Sequence, residues 1–433
     1  MLATYSSSRR LILGGCIGNV VEWYNFLLYA YLSVTISQLF FPNFSSQNAL
    51  LLSFLLFAVG FLARPMGAVI FGLLADRRGR KKTLLIAQIF MAIPTFLMCF
   101  LPTYAQVGVA APIILGVLRF CQGIAIAGEQ PVALTYLAEV APVHRRGLWV
   151  SVIPAATGVG ILLGSLSVYS IVHWLSPALF DTIGWRLCFF TGFIATVASA
   201  WYRWTLPESE IFTNAIKKGG ATASSGTQNV QKSKQIPLTA RNYWQQVIAM
   251  VGLVSMQAFF YQLLYIWTPN FLNVSFHVSL SHSLLINACS MCVFCSFILF
   301  GGYLIDQVGR KKVLHVAITG LIFLSCLLYA QMTHLSLSTI LIYLVLISML
   351  FGLFIGAINT AFTEIFPVKI RALSLSMAFN IPLAIIGGLT PLAMTFVMMN
   401  FGGTGMAITC AMISIIALTA SFFINDMTGK PID

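Results

Sequence analysis

The sequence predicts an all-α membrane protein with twelve transmembrane helices in two pseudo-symmetric six-helix halves. Three observations predict it. Of 433 residues, 59% are hydrophobic and 8% are charged, too few ions to cover the surface of a water-soluble domain. Apolar stretches of about 20 residues, long enough to span a bilayer, recur roughly twelve times. Two polar motifs also return in the second half of the chain at nearly one period.

In chain order, the first half is expected to span near 11–40, 50–74, 83–101, 108–138, 148–172 and 186–204. The first span follows SSSRRLILGGC (6–16), which imitates an export or lipoprotein signal. Its apolar run before Cys16 is too short for one, and the segment continues as a full span. The second span ends in GLLADRRGRKK (72–82), and EVAPVHRR (139–146) follows the fourth. The second half is expected to span near 244–269, 281–304, 313–331, 338–363, 372–398 and 403–425. There GYLIDQVGRKK (302–312) and EIFPVKIR (364–371) repeat the two motifs at offsets of 230 and 225 residues, so a six-helix unit is duplicated. The expected division is an N-terminal half over 1–204, a polar linker over 205–242 with the apolar-free core GGATASSGTQ, and a C-terminal half over 243–433.

The formal charge of +13 does not indicate a nucleic-acid partner. With the N-terminus inside, 21 of the 24 Lys and Arg residues fall on the N-terminal arm, the cytoplasmic loops and the tail, leaving only Arg64, Arg119 and Arg186. The positive-inside rule therefore sets the orientation, and an even number of spans puts both termini in the cytoplasm. The nine cysteines lie mostly inside apolar helices, which argues against a disulfide framework. Cys289, Cys292 and Cys295 are spaced like cluster ligands but have no fourth partner, and read as small buried hydrophobes.

Eleven carboxylates allow an exhaustive search, and all but two lie at helix ends, in loops or in the tail. Glu22 stands twelve residues past Arg10, about 18 Å along a helix, and Glu129 stands ten residues before Glu139, about 15 Å from the end of its own. An ion at that depth costs roughly 2.5–3.5 kcal/mol even on a lenient insertion scale, so each needs a partner or a watery cavity. Arg64 and Arg119 are deep enough to supply one. The functional expectation for Glu22 and Glu129 is proton binding and release as a central cavity opens to each side. The competing expectation is a permanent salt bridge that locks the bundle. Arg119 and Gln122 share a helical face, and either arginine can hold a substrate carboxylate through paired hydrogen bonds. The C-terminal half has no deep charge. Its candidates are the polar and aromatic groups Gln257, Tyr261, Gln262, Tyr265, Asn359, Thr363 and Asn380.

A duplicated six-helix unit with D-x-x-G-R-K-K after the second helix of each half resembles the major facilitator superfamily. EWYNF (22–26), ARPMGAVIFGLLADRRGRKK (63–82), RFCQGIAIAGE (119–129), YLAEVAP (136–142), EIFP (364–367) and FNIPLAIIGGLTP (379–391) narrow the likeness to its metabolite:proton symporters. That family includes bacterial carriers of proline and betaine, shikimate, citrate and alpha-ketoglutarate. The resemblance covers essentially the whole chain. It implies a major facilitator fold and a cytoplasmic gate built from Asp76, Arg80, Glu139, Arg146, Asp306, Arg310, Glu364 and Arg371. Asn25 departs from the pattern, because the family has Asp there. A titratable group is thereby lost, while a binding role for the amide remains.

The resulting expectation is a bacterial inner-membrane secondary transporter, not an enzyme, that works by alternating access. It would carry a small organic metabolite, a zwitterion or a carboxylate, in symport with H⁺. Glu22 and Glu129 would couple the proton, and Asn25, Arg64, Arg119, Gln122, Tyr261, Tyr265, Asn359 and Asn380 would bind substrate. No nucleotide loop is present, so the proton gradient is the expected drive and no cofactor or metal is expected. Its partners are the substrate, H⁺ and lipid, with no nucleic acid, and the expected assembly is a monomer. The alternatives are a metabolite or siderophore exporter or uniporter without proton coupling, and a non-transporting receptor on a transporter fold.

Overall fold

In the computed structural model, residues 2–78, 80–205, 244–365 and 368–424 are described. Nearly all of the expected linker, 205–242, lies outside them. Within the described residues every regular element is helical. Helix α1 covers Leu2–Tyr31 and continues as Ser33–Phe40, and α2 is the pair Ser46–Leu62 and Arg64–Arg78. Next come α3 (Arg80–Met98), α4 (Ala110–Ala125 and Glu129–Val140), α5 (Arg146–Trp174) and α6 (Trp185–Trp204), the last entered through a π-helical turn, Phe180–Gly184.

After the linker, α7 joins Trp244–Gln262 to Thr268–Ser275 through a second π turn, Leu263–Trp267, and α8 (Leu280–Val308), α9 (Arg310–Gln331) and α10 (Leu337–Ile365) follow. Helix α11 begins as Val368–Pro382 and passes through a third π turn, Leu383–Gly387. The last helical run, Gly388–Phe422, is no single rod. Gly402 has φ 61° inside it, a left-handed conformation that glycine adopts without a side-chain clash. That residue ends α11 and starts α12. Eight helical runs among the described residues are long and apolar enough to cross a bilayer, the last of them, Leu375–Phe422, taking in both α11 and α12, and the shorter apolar helices Lys82–Met98 and Ala110–Ala125 accompany them.

Two expected spans are interrupted at mid-membrane, for a reason that is visible in the sequence. Helix α4 breaks between Ala125 and Glu129, just before Pro131. Proline has no N–H to give the carbonyl four residues earlier, here Ala127. Helix α2 is nicked at Ala63, which keeps helical φ and ψ of −74° and −17°, because Pro65 two residues on has no N–H for the Phe61 carbonyl. Broken helices survive in lipid only where protein re-satisfies the freed backbone groups.

Apolar burial gives little drive for helix association in lipid, so close packing at small residues takes over. A Cβ on Gly123 would lie 1.8 Å from the Gly60 carbonyl oxygen, so only hydrogen at 123 lets α4 press on α2. A Cβ on Gly147 would lie 2.4 Å from the Gly302 carbonyl oxygen, which makes the α5 and α8 contact equally intolerant. One aromatic core runs across the molecule, with Phe26, Phe57 and Phe61 on one side and Tyr265, Phe294 and Phe351 on the other.

Candidate functional site

The ends of α2, α4, α8 and α10 that carry the basic loops define one face of the molecule, called the basic face below. At its edge Glu364 on α10 meets two arginines. Arg146 Nη1, at the start of α5, donates to Glu364 Oε1 at 3.0 Å, and Arg310 Nη2, at the start of α9, donates to the same oxygen at 2.6 Å. All three side chains are at least 96% buried. Beside them Asp306 accepts from the backbone N–H groups of Gly147 and Leu148 at 2.9 and 3.1 Å. A carboxylate at a helix N-terminus is favourable because the first N–H groups have no partner within the helix. Four of the eight expected gate residues, Arg146, Asp306, Arg310 and Glu364, are therefore together. The side chains of Asp76, Arg80, Glu139 and Arg371 lie outside the described part, as does that of Glu129.

The opposite face is closed by neutral groups. Asn287 Nδ2 on α8 donates to Tyr31 Oη at 3.1 Å, and Asn270 Nδ2 on α7 donates to the Ala30 carbonyl at 3.0 Å. Ser165 Oγ on α5 donates to the Leu284 carbonyl at 3.3 Å. The sequence reading missed these residues. Their only signal is an amide on an otherwise apolar helix end, which is common for packing alone.

Between the two faces lie the deep charges. Arg64 is fully buried and crosses from α2 to α11, where Nε and Nη2 donate to Asn380 Oδ1 at 3.3 and 3.2 Å. Its guanidinium stands over the Trp23 and Phe61 rings, 5.4 and 5.6 Å from their centroids, and within Coulombic reach of Glu22. Such ring contacts are worth roughly 0.5–2 kcal/mol each, more when water is excluded. Glu22 itself is 2% exposed. Of the two arginines weighed as its partner, Arg64 is thus the one within reach of its charge.

Arg119 is equally buried but is turned into the first half of the chain. Nη1 donates to the Phe26 carbonyl at 3.1 Å and to Gln122 Oε1 at 2.7 Å, and Gln122 Nε2 passes the chain on to Thr95 Oγ1 at 2.9 Å. The Phe26, Tyr29 and Phe57 rings surround its guanidinium at 4.3, 4.6 and 5.5 Å. The Phe26 and Phe61 rings, 4.9 Å apart, stand between the two arginines.

The remaining candidates divide. Asn25 does not join the arginines: its Nδ2 donates to Val21 O and to Thr196 Oγ1, both at 2.8 Å, which ties α1 to α6. Tyr265 Oη donates to Ser348 at 3.0 Å, within an aromatic cluster of Tyr261, Phe294 and Phe351. Asn359 Nδ2 is spent on its own helix at Ile355 O, 2.9 Å away. Tyr261 Oη, Gln257 Oε1 and Asn359 Oδ1 are buried without a hydrogen-bond partner among the described residues. Acceptors of that kind are costly to bury unless a donor is brought to them.

A family model described as sugar (and other) transporter matches residues 11–428. The citrate-proton symporter of Klebsiella pneumoniae is 30% identical, over 91% of this chain and 87% of its own length. The glycine betaine/proline/ectoine/pipecolic acid transporter of Dickeya dadantii is 28% identical, over 98% of this chain and 84% of its own. Among solved structures, the proton:xylose symporter XylE bound to 6-bromo-6-deoxy-D-glucose superposes with a TM-score of 0.79, covering 99% of this chain and 98% of that one at 17% identity. At that identity the likeness is one of fold.

Proposed function

We propose that this chain, which belongs to the sugar (and other) transporter family of the major facilitator superfamily and is a transporter, not an enzyme, moves a small organic metabolite together with a proton by alternating access. Residues 1–204 and 243–433 are the two rocking halves, joined by 205–242. The observation that carries this proposal is the buried guanidinium of Arg64, which bonds across the seam to Asn380 and lies within reach of Glu22. A titratable acid, a fixed cation and a contact between the halves meet at one level, as a proton-coupled carrier needs. Relatives named as citrate-proton symporter and as proline/betaine transporter support the pairing of proton with small metabolite.

Glu22 and Glu129 are the proton-coupling groups in this assignment. Asn25, Arg64, Arg119, Gln122, Tyr261, Tyr265, Asn359 and Asn380 bind or position the substrate. Asp76, Arg80, Glu139, Arg146, Asp306, Arg310, Glu364 and Arg371 gate the cytoplasmic side. The protein works as a monomer in the bacterial inner membrane, with both termini in the cytoplasm, driven by the proton gradient without a cofactor. One observation favours a second reading, a carrier without proton coupling: Asn25 replaces a titratable group by an amide that is bound to Thr196.

The test is uptake into proteoliposomes of labelled proline, glycine betaine, ectoine, citrate, shikimate and alpha-ketoglutarate, with and without an inward proton gradient. Wild type is compared with Glu22→Gln and Glu129→Gln. Accumulation of one compound that needs the gradient and is lost in either variant supports symport. Accumulation that ignores both would favour the uncoupled carrier.

A further inference from the structure

Asn380 is oriented by backbone chemistry before it touches any charge. Pro131 leaves the Ala127 carbonyl without its helical donor, and Asn380 Nδ2 supplies one across the seam at 3.2 Å while donating also to Ser376 O at 3.0 Å. With both amide hydrogens drawn to carbonyls, Oδ1 faces Arg64 and accepts from Nε and Nη2. The flipped amide would set an NH₂ group against the guanidinium and an oxygen against two carbonyls. Helices α2 and α11 are close at this level, since a Cβ on Gly388 would stand 2.7 Å from Phe61 Cβ. Arg64 therefore has a hydrogen-bonded partner across the seam, Asn380, while the charge of Glu22, in its own half, lies within Coulombic reach.

We propose that Asn380 is a positioning residue that acts through Arg64. With the seam closed it shares the guanidinium with Glu22 and holds α2 against α11, and when the seam parts the guanidinium passes to Glu22 alone. The proposal rests on the rocking motion proposed above and goes beyond it by naming the residue that controls which partner the buried cation has.

The test reads backbone hydrogen exchange by mass spectrometry over residues 58–67 and 380–390, on the full chain in lipid nanodiscs. Asn380→Ala removes a charge-assisted contact and is expected to raise exchange in both segments by about tenfold. Asn380→Asp keeps the acceptor for Arg64 but loses the donor to Ala127, and should restore wild-type exchange or slow it. If Asn380→Asp exchanges as fast as Asn380→Ala, the bond to Ala127 is what closes the seam and the proposal is overturned.

A merely structural role is separated by Glu22→Gln. In the wild-type background it should slow exchange at the seam, because the open state loses its partner for Arg64. In Asn380→Ala it should have no effect, because the guanidinium then turns to Glu22 in both states. Equal effects in the two backgrounds would also overturn the proposal. Exchange is read without substrate, so failure of the uptake panel and failure of the positioning role are distinguishable.

Discussion

Replacing Glu364 by Gln at the basic face removes the one carboxylate that two arginines share. Its Oε1 accepts from Arg146 at 3.0 Å and from Arg310 at 2.6 Å, with the glutamate side chain 2% exposed. A charge-assisted hydrogen bond is worth about 1.5–3 kcal/mol. Of the two bonds to Glu364 only the one from Arg146 joins the first half of the chain to the second, beside the Asp306 bonds to Gly147 and Leu148, which the substitution leaves in place. The amide oxygen of Gln still accepts from Arg146, so what is lost is the charge assistance, about 1–1.5 kcal/mol, which should shift the ratio of open to closed basic face by about 5- to 12-fold at 1.4 kcal/mol per decade. The isosteric amide keeps the packing, so the change is electrostatic. Hydrogen exchange over 146–151 and 300–306, in lipid nanodiscs, should rise by that factor while exchange around Asn287 stays constant or falls. Unchanged exchange at the basic face, with the protein folded, would refute the assignment of this cluster as a gate.

Three further outcomes follow from the same contacts. Asn287→Ala deletes the donor to Tyr31 and Ser165, so the opposite face should open by roughly 5- to 10-fold, for about 1 kcal/mol of neutral hydrogen bond. Exchange over 280–290 checks it. Gln122→Leu breaks the chain from Arg119 to Thr95 and leaves a buried guanidinium short of an acceptor. The expected cost is about 1.5–3 kcal/mol, read as a lower Tm in detergent. Gly147→Val places carbon where the Gly302 carbonyl oxygen would lie 2.4 Å from its Cβ, so α5 cannot seat on α8. Transport should be lost while the chain still reaches the membrane, as measured by uptake against expression level.

The sequence made the deep charges legible, because a carboxylate or guanidinium in a span is rare enough to be searched for one by one. It also made the polar cluster at the basic face legible through its two repeated motifs, since Arg146 and Arg310 meet Glu364 there and Asp306 bonds to the Gly147 and Leu148 N–H groups beside them. What it hid were partners fixed by rotation about a helix axis. Asn25 lies three residues from Glu22, yet its amide points to Thr196 on α6, and spacing alone gave no hint of that. Glu22 had two arginines within range, and only packing sets Arg119 against Phe26, Tyr29 and Phe57 instead. The break in α4 was readable, since Pro131 leaves the Ala127 carbonyl without a donor. That the donor would come from Asn380, 253 residues away, was not.

Three of the groups that cross between the halves show a pattern that bears on how cheaply the molecule can open. Arg64 has Asn380 across the seam and the charge of Glu22 within reach at home; Asn270 Nδ2 has Ala30 O across and Ile266 O at home; Glu364 has Arg146 across and Arg310 at home. Breaking a buried ion pair and orphaning one partner costs about 3–5 kcal/mol. A group that keeps its home interaction loses only its one or two crossing hydrogen bonds, so the open and closed states stay within reach of each other. The two arginines on Glu364 should then act in opposite directions. Arg146→Met removes the crossing partner and should open the basic face. Arg310→Met removes the home partner, so opening would orphan Glu364, the basic face should stay shut and turnover should fall. Exchange over 146–151 read beside the uptake rate separates them, and two variants that open the face alike would show that Glu364 gains nothing from holding a partner on each side.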